Sequence, residues 1–231
     1  MWAVLPIKNL ANVKTRLAPV LSPAERTALF RCMVHDVLSA VTAVQALGGV
    51  LIVTGDPDIQ QIAAGFGAYV LQETANDGHS AAVARAASWL SARGESGLMQ
   101  VPGDIPTVTA EELSDVLAAH GADDQRAFTI VPSLDHDGSN CVVCTPPDCM
   151  KLEFGRDSFR RHVERARAAG IPCRIVERPG IALDVDNPSD LARLAAISGE
   201  TRTHRFLEES GIGRRILRVQ SDVKPPERKL A

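Results

Sequence analysis

The chain has 231 residues, 45% hydrophobic and 23% charged, a balance that excludes a disordered chain and suits one large α/β domain or two small ones. Its formal net charge of −3 gives no general attraction to nucleic acid, so any polyanion has to be held by a local cluster of Lys and Arg. No apolar run approaches the length of a membrane span, and the five cysteines, odd in number and irregularly spaced, read as reduced thiols. The cytoplasm is therefore the expected location, because "MWAVLPIKNL" is too short for the apolar region of a signal peptide.

In chain order, "WAVLPI" (Trp2 to Ile7) reads as a buried strand, followed by an irregular loop. "SPAER" then opens a helix, with Ser22 as N-cap, Pro23 at the first helical position and Glu25 closing a capping box. Leu29, Met33, Val37 and Leu38 continue that helix at the spacing of one buried face. "GVLIVTGD" is a strand, Pro57 starts a second helix, "AYVLQE" is a strand and "SAAVARAASWLSA" is a helix. "GLMQV" is a strand, and "TAEELSDVLAAH" is a helix capped by Thr109. "AFTIVPS" and "NCVVCT" are strands joined by "LDHDGSN", and "DSFRRHVERARAAG" is a helix closed at Gly170. "CRIVE" and "IALDV" read as short strands, and "NPSDLARLAAI" as a helix capped by Asn187 with Pro188 next. "RTHRFLEESGIG" adds one more helix, and the polar "DVKPPERKLA" is expected to be disordered.

Strands alternating with helices predict an α/β fold around a mainly parallel sheet. Ligands bind such sheets outside the carboxyl ends of the strands, which directs attention to the loops after Ile7, Val53, Leu71, Val101 and Val185. Cys141 and Cys144 lie three apart on one strand and so point to opposite faces, which argues against a shared metal.

Three groups of residues stand out in those loops and beside them. Lys8, Lys14 and Arg16 follow the first strand with no acid among them, which suits either a bound triphosphate or an ordinary solvated loop. Asp104, in "VPGDIP", ends one strand, and Asp184 and Asp186, in "ALDVDNP", end another. Two residues apart on an extended segment, Asp184 and Asp186 face the same side. Each aspartate alone is also explained as a turn or cap residue; three acids beside a basic loop call for Mg²⁺ (or Mn²⁺) bridging carboxylate to phosphate. In the third group, Ser139 and Asn140 offer neutral hydrogen bonds after Gly138, and Gly155, Asp157 and Ser158 lie at a helix N-terminus that favours an anion. A hairpin turn and an N-cap are the plainer account of that group. His162, one turn into the helix, reads as a packing or hydrogen-bonding residue rather than a base.

"LPIKNLANVKTRLAPVLSPAERTAL", "VPGDIP", "DGSN", "FGRDSFRRH" and "LDVDNPSDL" occur in that order between Met1 and about Ile197. Together they resemble the guanylyltransferase family that makes the GDP-linked precursor of the deazaflavin coenzyme F-420, using 2-phospho-L-lactate, phosphoenolpyruvate or 3-phosphoglycerate. The resemblance implies a Rossmann-like three-layer α/β/α domain with a mixed, mainly parallel sheet, of the glycosyltransferase-A-like nucleotidyltransferase fold. It implies that Lys8, Lys14 and Arg16 hold the GTP phosphates, with Lys14, Arg16 and Asp104 as catalytic residues. Asp104 and Asp186 hold the metal with Asp184 close by, and Ser139, Asn140, Gly155 and Ser158 receive the acceptor acid. Gly78 and Ser80 lie near the nucleotide, in "NDGHSAAV", where the family usually has Gly-Leu-Asn.

The partners so implied are GTP and a small phosphorylated acid, with no nucleic acid, no membrane and a homodimer left open. The chain is expected to divide into a nucleotidyltransferase domain, 1–198, and a C-terminal extension, 199–231. A nucleotide-binding regulatory module without catalysis, and a transferase for a sugar phosphate or molybdopterin, are the competing readings.

Overall fold

A computed structural model describes residues 1–10, 13–73, 77–121 and 125–222. The strands are β1 (Trp2–Pro6), β2 (Val50–Thr54), β3 (Tyr69–Gln72), β4 (Leu98–Gln100), β5 (Ala127–Pro132), β6 (Ser139–Thr145) and β7 (Cys173–Ile175). They form one sheet in the order β3-β2-β1-β4-β6-β5-β7. β6 runs antiparallel to both β4 and β5, and the other pairings are parallel. The sheet is mainly parallel, as the alternation of elements predicts, and mixed, as the family resemblance implies.

The helices are α1 (Pro23–Thr42), α2 (Pro57–Gly65), α3 (His79–Ser91), α4 (Ala110–His120), α5 (Ser158–Ala168), α6 (Pro179–Ala182), α7 (Pro188–Ala196), α8 (Arg202–Glu209) and α9 (Ile212–Asp222). Their starts follow the capping chemistry in the sequence. Ser22 with Glu25, Thr109 with Glu112 and Asn187 with Asp190 each form a complete capping box, and Pro23 and Pro188 enter their helices at the first turn.

Alternate strand residues feed two cores. On one face Ala3, Leu5, Met99, Cys141 and Val143 pack with α1, α2, α4 and α7. On the other, Val4, Leu98, Phe128, Val142 and Cys144 pack with α3 and α5. Cys141 and Cys144 therefore do point apart, and both are buried.

Two segments differ from the sequence reading. "IALDV" is not a strand: it begins as the end of the short helix α6 and continues as an extended strap that bonds to loops, Leu134 N–H to Ala182 O (2.9 Å) and Val185 N–H to Asp104 O (3.0 Å). "RTHRFLEESGIG" is not one helix: the chain breaks at Gly211, φ 71°, between α8 and α9. Asp36 on α1 accepts from the Arg202 and Thr203 backbone N–H groups, both at 2.8 Å, and so fixes the start of α8. Leu207, Ile212 and Ile216 then join the same core as α1 and α7. The expected disordered tail lies, from 223 on, outside the described residues.

Candidate active site

Loops at the carboxyl end of the sheet, with the strap after α6 and the segment before α5, line two adjoining cavities of about 780 and 620 Å³. Arg16, His79, Pro102, Asp104 and Asp186 belong to the walls of both. The smaller adds Lys8 and Lys14; the larger adds Ser139, Gly155, Ser158 and Asp184.

The basic loop and the acids meet directly. Lys14 has a left-handed backbone, φ 51°, which is uncommon for a residue with a side chain, and it leads into a 3-10 turn anchored by the buried Leu17. This turns the Lys14 side chain inward, to 5% exposure, and its ammonium donates to Asp104 Oδ2 and to Asp186 Oδ1 (2.7 Å). Burial opposes the charge on Lys14, but the two carboxylates outweigh it and hold its pKa above the ordinary lysine value. Burial likewise pushes Asp186 upward, and Lys14, with Arg16, more than reverses it. Arg16 stays 76% exposed and reaches Asp186 Oδ2 only at 3.5 Å. Lys8 is exposed at the mouth of the smaller cavity.

The strap after α6 brings in the two later acids. Gly180 is required there: a Cβ would lie 2.2 Å from Glu112 Oε2 and 2.5 Å from Thr107 O. Its N–H donates to Glu112 Oε1 (2.7 Å), and its carbonyl accepts from Thr107 Oγ1 (3.0 Å). Asn140 lines the larger cavity but turns its amide NH₂ into the protein, with Ile181 O, Ala182 O and Asp184 Oδ1 each at 3.0 Å. Asp184 and Asp186 therefore have different partners despite their common side. Burial, reinforced by Asp104, pushes the Asp184 carboxyl up to about 6.

That gives a prediction for the ligand-free protein. Below about pH 4 Asp184 is protonated folded or unfolded; between about 4 and 6 the folded state alone keeps the proton, so stability falls as pH rises and then stays level. Asp184→Asn removes this penalty while its side-chain oxygen still accepts from Asn140. Thermal unfolding in EDTA should show a gain of about 1–2 kcal/mol at pH 7.5, with screening allowed for, and none at pH 4. A gain independent of pH would show that the charge is not what strains the site.

The far side of the larger cavity is built from β6 and α5. Ser133 Oγ donates to Asp135 Oδ1 (2.6 Å) and accepts from Gly138 N–H (2.7 Å), which shapes the turn into β6. Ser139 Oγ lies 3.2 Å from Ser158 Oγ and 3.0 Å from His162 Nδ1. The α5 terminus is already partly satisfied. Asp157 N–H donates to Asp137 Oδ1 (3.0 Å), Ser158 N–H to Gly155 O (3.0 Å) and Phe159 N–H to Asp137 O (3.3 Å). At the start of α5 the Ser139 and Ser158 hydroxyls, rather than those three N–H groups, are thus left to meet a ligand in the cavity. Gly155 holds φ 113° beside them.

Gly78 caps α3 with φ 96°, and Ser80 Oγ accepts from Phe154 N–H (2.9 Å), tying the start of α3 to the segment that precedes α5. Between them His79 was missed as a site residue by sequence reasoning, although its departure from Gly-Leu-Asn was the visible signal. Its Nε2 lies 3.3 Å from Gln100 Nε2 and its ring centroid 4.6 Å from that of Phe154. Burial pushes its pKa down to about 4 against the pull of Asp104. Gln100 is wholly buried, and its Oε1 has no hydrogen-bond partner. A buried polar side chain on an otherwise apolar strand face was the signal there.

Among the described residues no three His, Cys, Asp or Glu side chains form a ready-made metal cage. Asp104 and Asp186 nevertheless share one cation, the Lys14 ammonium, which stands where a positive charge is demanded, and among the described residues Asp184 beside them has no cationic partner. Their hard oxygens fit Mg²⁺ or Mn²⁺.

Residues 1–223 match the family described as "Guanylyl transferase CofC like". The phosphoenolpyruvate guanylyltransferase of Conexibacter woesei is 36% identical over 201 residues, covering 87% of this chain and 90% of that one. The phosphoenolpyruvate guanylyltransferase of Sphaerobacter thermophilus is 34% identical, with 90% and 98% covered. The 2-phospho-L-lactate guanylyltransferase of Methanothermobacter thermautotrophicus is 27% identical, with 90% and 89% covered. Among solved structures, a chain from Desulfovibrio desulfuricans G20 assigned as a nucleotide-diphospho-sugar transferase superposes with TM-score 0.73 at 20% identity, covering 93% of this chain and 97% of that one. A nucleotidyl transferase from Methanothermobacter superposes with TM-score 0.60 at 19% identity, with 90% and 98% covered. The sheet, the paired cavities and these relatives agree: the chain is a nucleotidyltransferase and belongs to the CofC-like guanylyl transferase family.

Proposed function

We propose that the protein transfers GMP from GTP to a phosphorylated three-carbon acid (2-phospho-L-lactate, phosphoenolpyruvate or 3-phosphoglycerate), releasing pyrophosphate, as a step in making coenzyme F-420. The observation that carries this reading is the pair of cavities with a common wall. One is lined by Lys8, Lys14 and Arg16, and the other by paired hydroxyls. Lys8, Lys14 and Arg16 hold the triphosphate, with Gly78 and Ser80 close to the nucleoside. Asp104 and Asp186, assisted by Asp184, hold Mg²⁺ or Mn²⁺. Ser139, Gly155 and Ser158 receive the acceptor, and Asn140 fixes the strap that carries Asp184.

The acceptor's phosphate oxygen attacks the α-phosphorus of GTP in line, the bond to the β,γ-pyrophosphate breaks, and pyrophosphate leaves. The nucleophile is already an anion at neutral pH, so no general base is needed. This agrees with the two histidines at the site, His79 and His162, both held down to about 4 and therefore neutral, weak bases. A bound divalent cation supplies charge neutralisation on the phosphates. The protein supplies position and fixed charge, with Lys14 exchanging its carboxylate partners for phosphate oxygens.

Among the described residues no helix is long and apolar enough to cross a membrane. A cytoplasmic enzyme working on two small anionic substrates, without nucleic acid or lipid, is the setting this reading requires.

The test is pyrophosphate release from GTP with Mg²⁺, supplying each of the three acids in turn, with ATP and CTP as controls. Release is expected with GTP and to depend on one acid. GTP binding with no release for any acid would replace this reading with that of a nucleotide-binding module lacking catalysis. Release with a sugar phosphate or molybdopterin instead would reassign the acceptor.

A further inference from the structure

The hydroxyl pair in the larger cavity is backed by a histidine whose hydrogen positions follow from its partners. The backbone N–H of Glu153 lies 2.9 Å from His162 Nε2. An amide N–H only donates, so Nε2 must present its lone pair. The neutral ring then carries its hydrogen on Nδ1, 3.0 Å from Ser139 Oγ, and donates it there. Ser139 Oγ is thereby an acceptor on its inner side. Its own proton points to Ser158 Oγ, 3.2 Å away, or into the cavity. If it goes to Ser158, the Ser158 proton is the one left for the cavity. In either arrangement the pair offers a donor to whatever binds.

We propose that His162 is a positioning residue that sets the hydrogen-bond polarity of the acceptor pocket, committing Ser139 and Ser158 to donate to a bound anion. This rests on the reading of that cavity as the acceptor site. The opposite tautomer would take the Ser139 proton inward and set two N–H groups against each other at Glu153. It would leave a pocket poorer in donors facing a phosphate or carboxylate rich in lone pairs.

The surroundings hold the ring in the required state. His162 is fully buried, Ser158 is 1% exposed and Ser139 8%, so water does not compete for these bonds. The rings of Phe128 and Phe154 pack edge-on against it, with centroids at 6.1 and 5.2 Å. The charged groups facing it are Arg161 and Arg165 on α5 and Glu153 on the preceding segment. Burial first, and then the two guanidiniums, keep it neutral at working pH.

Two substitutions separate the two ring nitrogens. His162→Asn places an amide N–H where Nδ1–H lies and gives up the acceptor for Glu153. His162→Gln places a carbonyl oxygen where Nε2 lies and gives up the donor to Ser139. Steady-state pyrophosphate release should show His162→Gln raising KM for the acid about tenfold, the size of one hydrogen bond to a charged group. KM for GTP should be unchanged, and His162→Asn should stay within about twofold of the parent. In a Ser139→Ala background His162→Gln should add little further.

The reverse order, equal effects of the two substitutions, or an equal change in KM for GTP would overturn the proposal and leave His162 as an anchor for the Glu153 segment. A full effect of His162→Gln in the Ser139→Ala background would also overturn it. Parent enzyme without acid-dependent pyrophosphate release would overturn the functional reading, and the proposal with it. Should both variants misfold, ¹⁵N shifts of His162 in the labelled parent protein decide: a protonated Nδ1 with bare Nε2 is expected, and a protonated Nε2 would overturn the proposal.

Discussion

Asp104→Ala will lower kcat by about 10²–10³-fold or more, the usual cost of removing one preorganised charge from a transition-state site, while the protein stays folded. Asp104 is, with Asp186, one of two carboxylates common to both cavities, so on the proposed mechanism it faces the region where the α-phosphorus and the attacking oxygen have to meet. Its side chain is 22% exposed at the open end of β4 and supports no core packing. The backbone there is held independently: Asp104 O accepts from Val185 N–H, and Pro102, Gly103 and Pro106 set the path of the chain. The three cations proposed to hold the triphosphate remain, and Lys14 keeps Asp186 as a partner. GTP binding measured without divalent metal should therefore change little, while turnover collapses. A folded Asp104→Ala enzyme with near-normal kcat would remove the mechanism.

Much of this site is legible in the sequence, because its logic is local. A strand that runs into Pro-Gly-Asp-Ile-Pro has to stop and present a carboxylate. Ser22 with Glu25, and Asn187 with Pro188, mark helix starts by chemistry that the structure repeats bond for bond. The strap was misread as a strand for a physical reason. Ile181, Leu183 and Val185 are all buried, so the alternation in "IALDV" is real, but alternation reports one buried face and not a partner strand. The pairing of Lys14 with Asp104 and Asp186 was beyond sequence reasoning, since it depends on residues about 90 and 172 positions away. Charge alone suggested an anion for the lysine and a cation for the acids. Without ligands each satisfies the other. His79 and Gln100 were hidden similarly: they lie 21 positions apart, and only the sheet places one beneath the other.

Lys14→Met should show what that ion pair does when no substrate is bound. The substitution keeps the length of the stem and removes the charge, leaving Asp104 and Asp186 facing each other with only the exposed Arg16, 3.5 Å from Asp186, as a nearby cation. Breaking a buried ion pair costs about 3–5 kcal/mol, and the exposure of Asp186, 41%, brings the expectation down to about 2 kcal/mol in EDTA. Lys14 is held above its ordinary value of 10.5, so its contribution is complete below that pH and is lost only as pH rises through the folded value. Asp186 is held below 3.8, so its contribution is present above that pH and is lost as pH falls through its folded value. The destabilisation should therefore be nearly constant between about pH 5 and 9. Mg²⁺ should then act in opposite proportion. On the proposed metal site, the ammonium of the parent competes with the metal for the same two carboxylates, so Mg²⁺ without GTP should raise Tm only slightly. In Lys14→Met the carboxylates lose their shared ammonium, keep only the long contact of Arg16 to Asp186, and repel each other, and a dication relieves that repulsion as it binds. The rise in Tm with Mg²⁺ should be larger in the variant and its midpoint at least about tenfold lower, while kcat falls by about 10²–10³ because the charge that would exchange onto the phosphates is gone. An unchanged Mg²⁺ response would mean that Asp104 and Asp186 do not hold the metal, and the loss of kcat would then be assigned to Lys14 acting on the triphosphate alone.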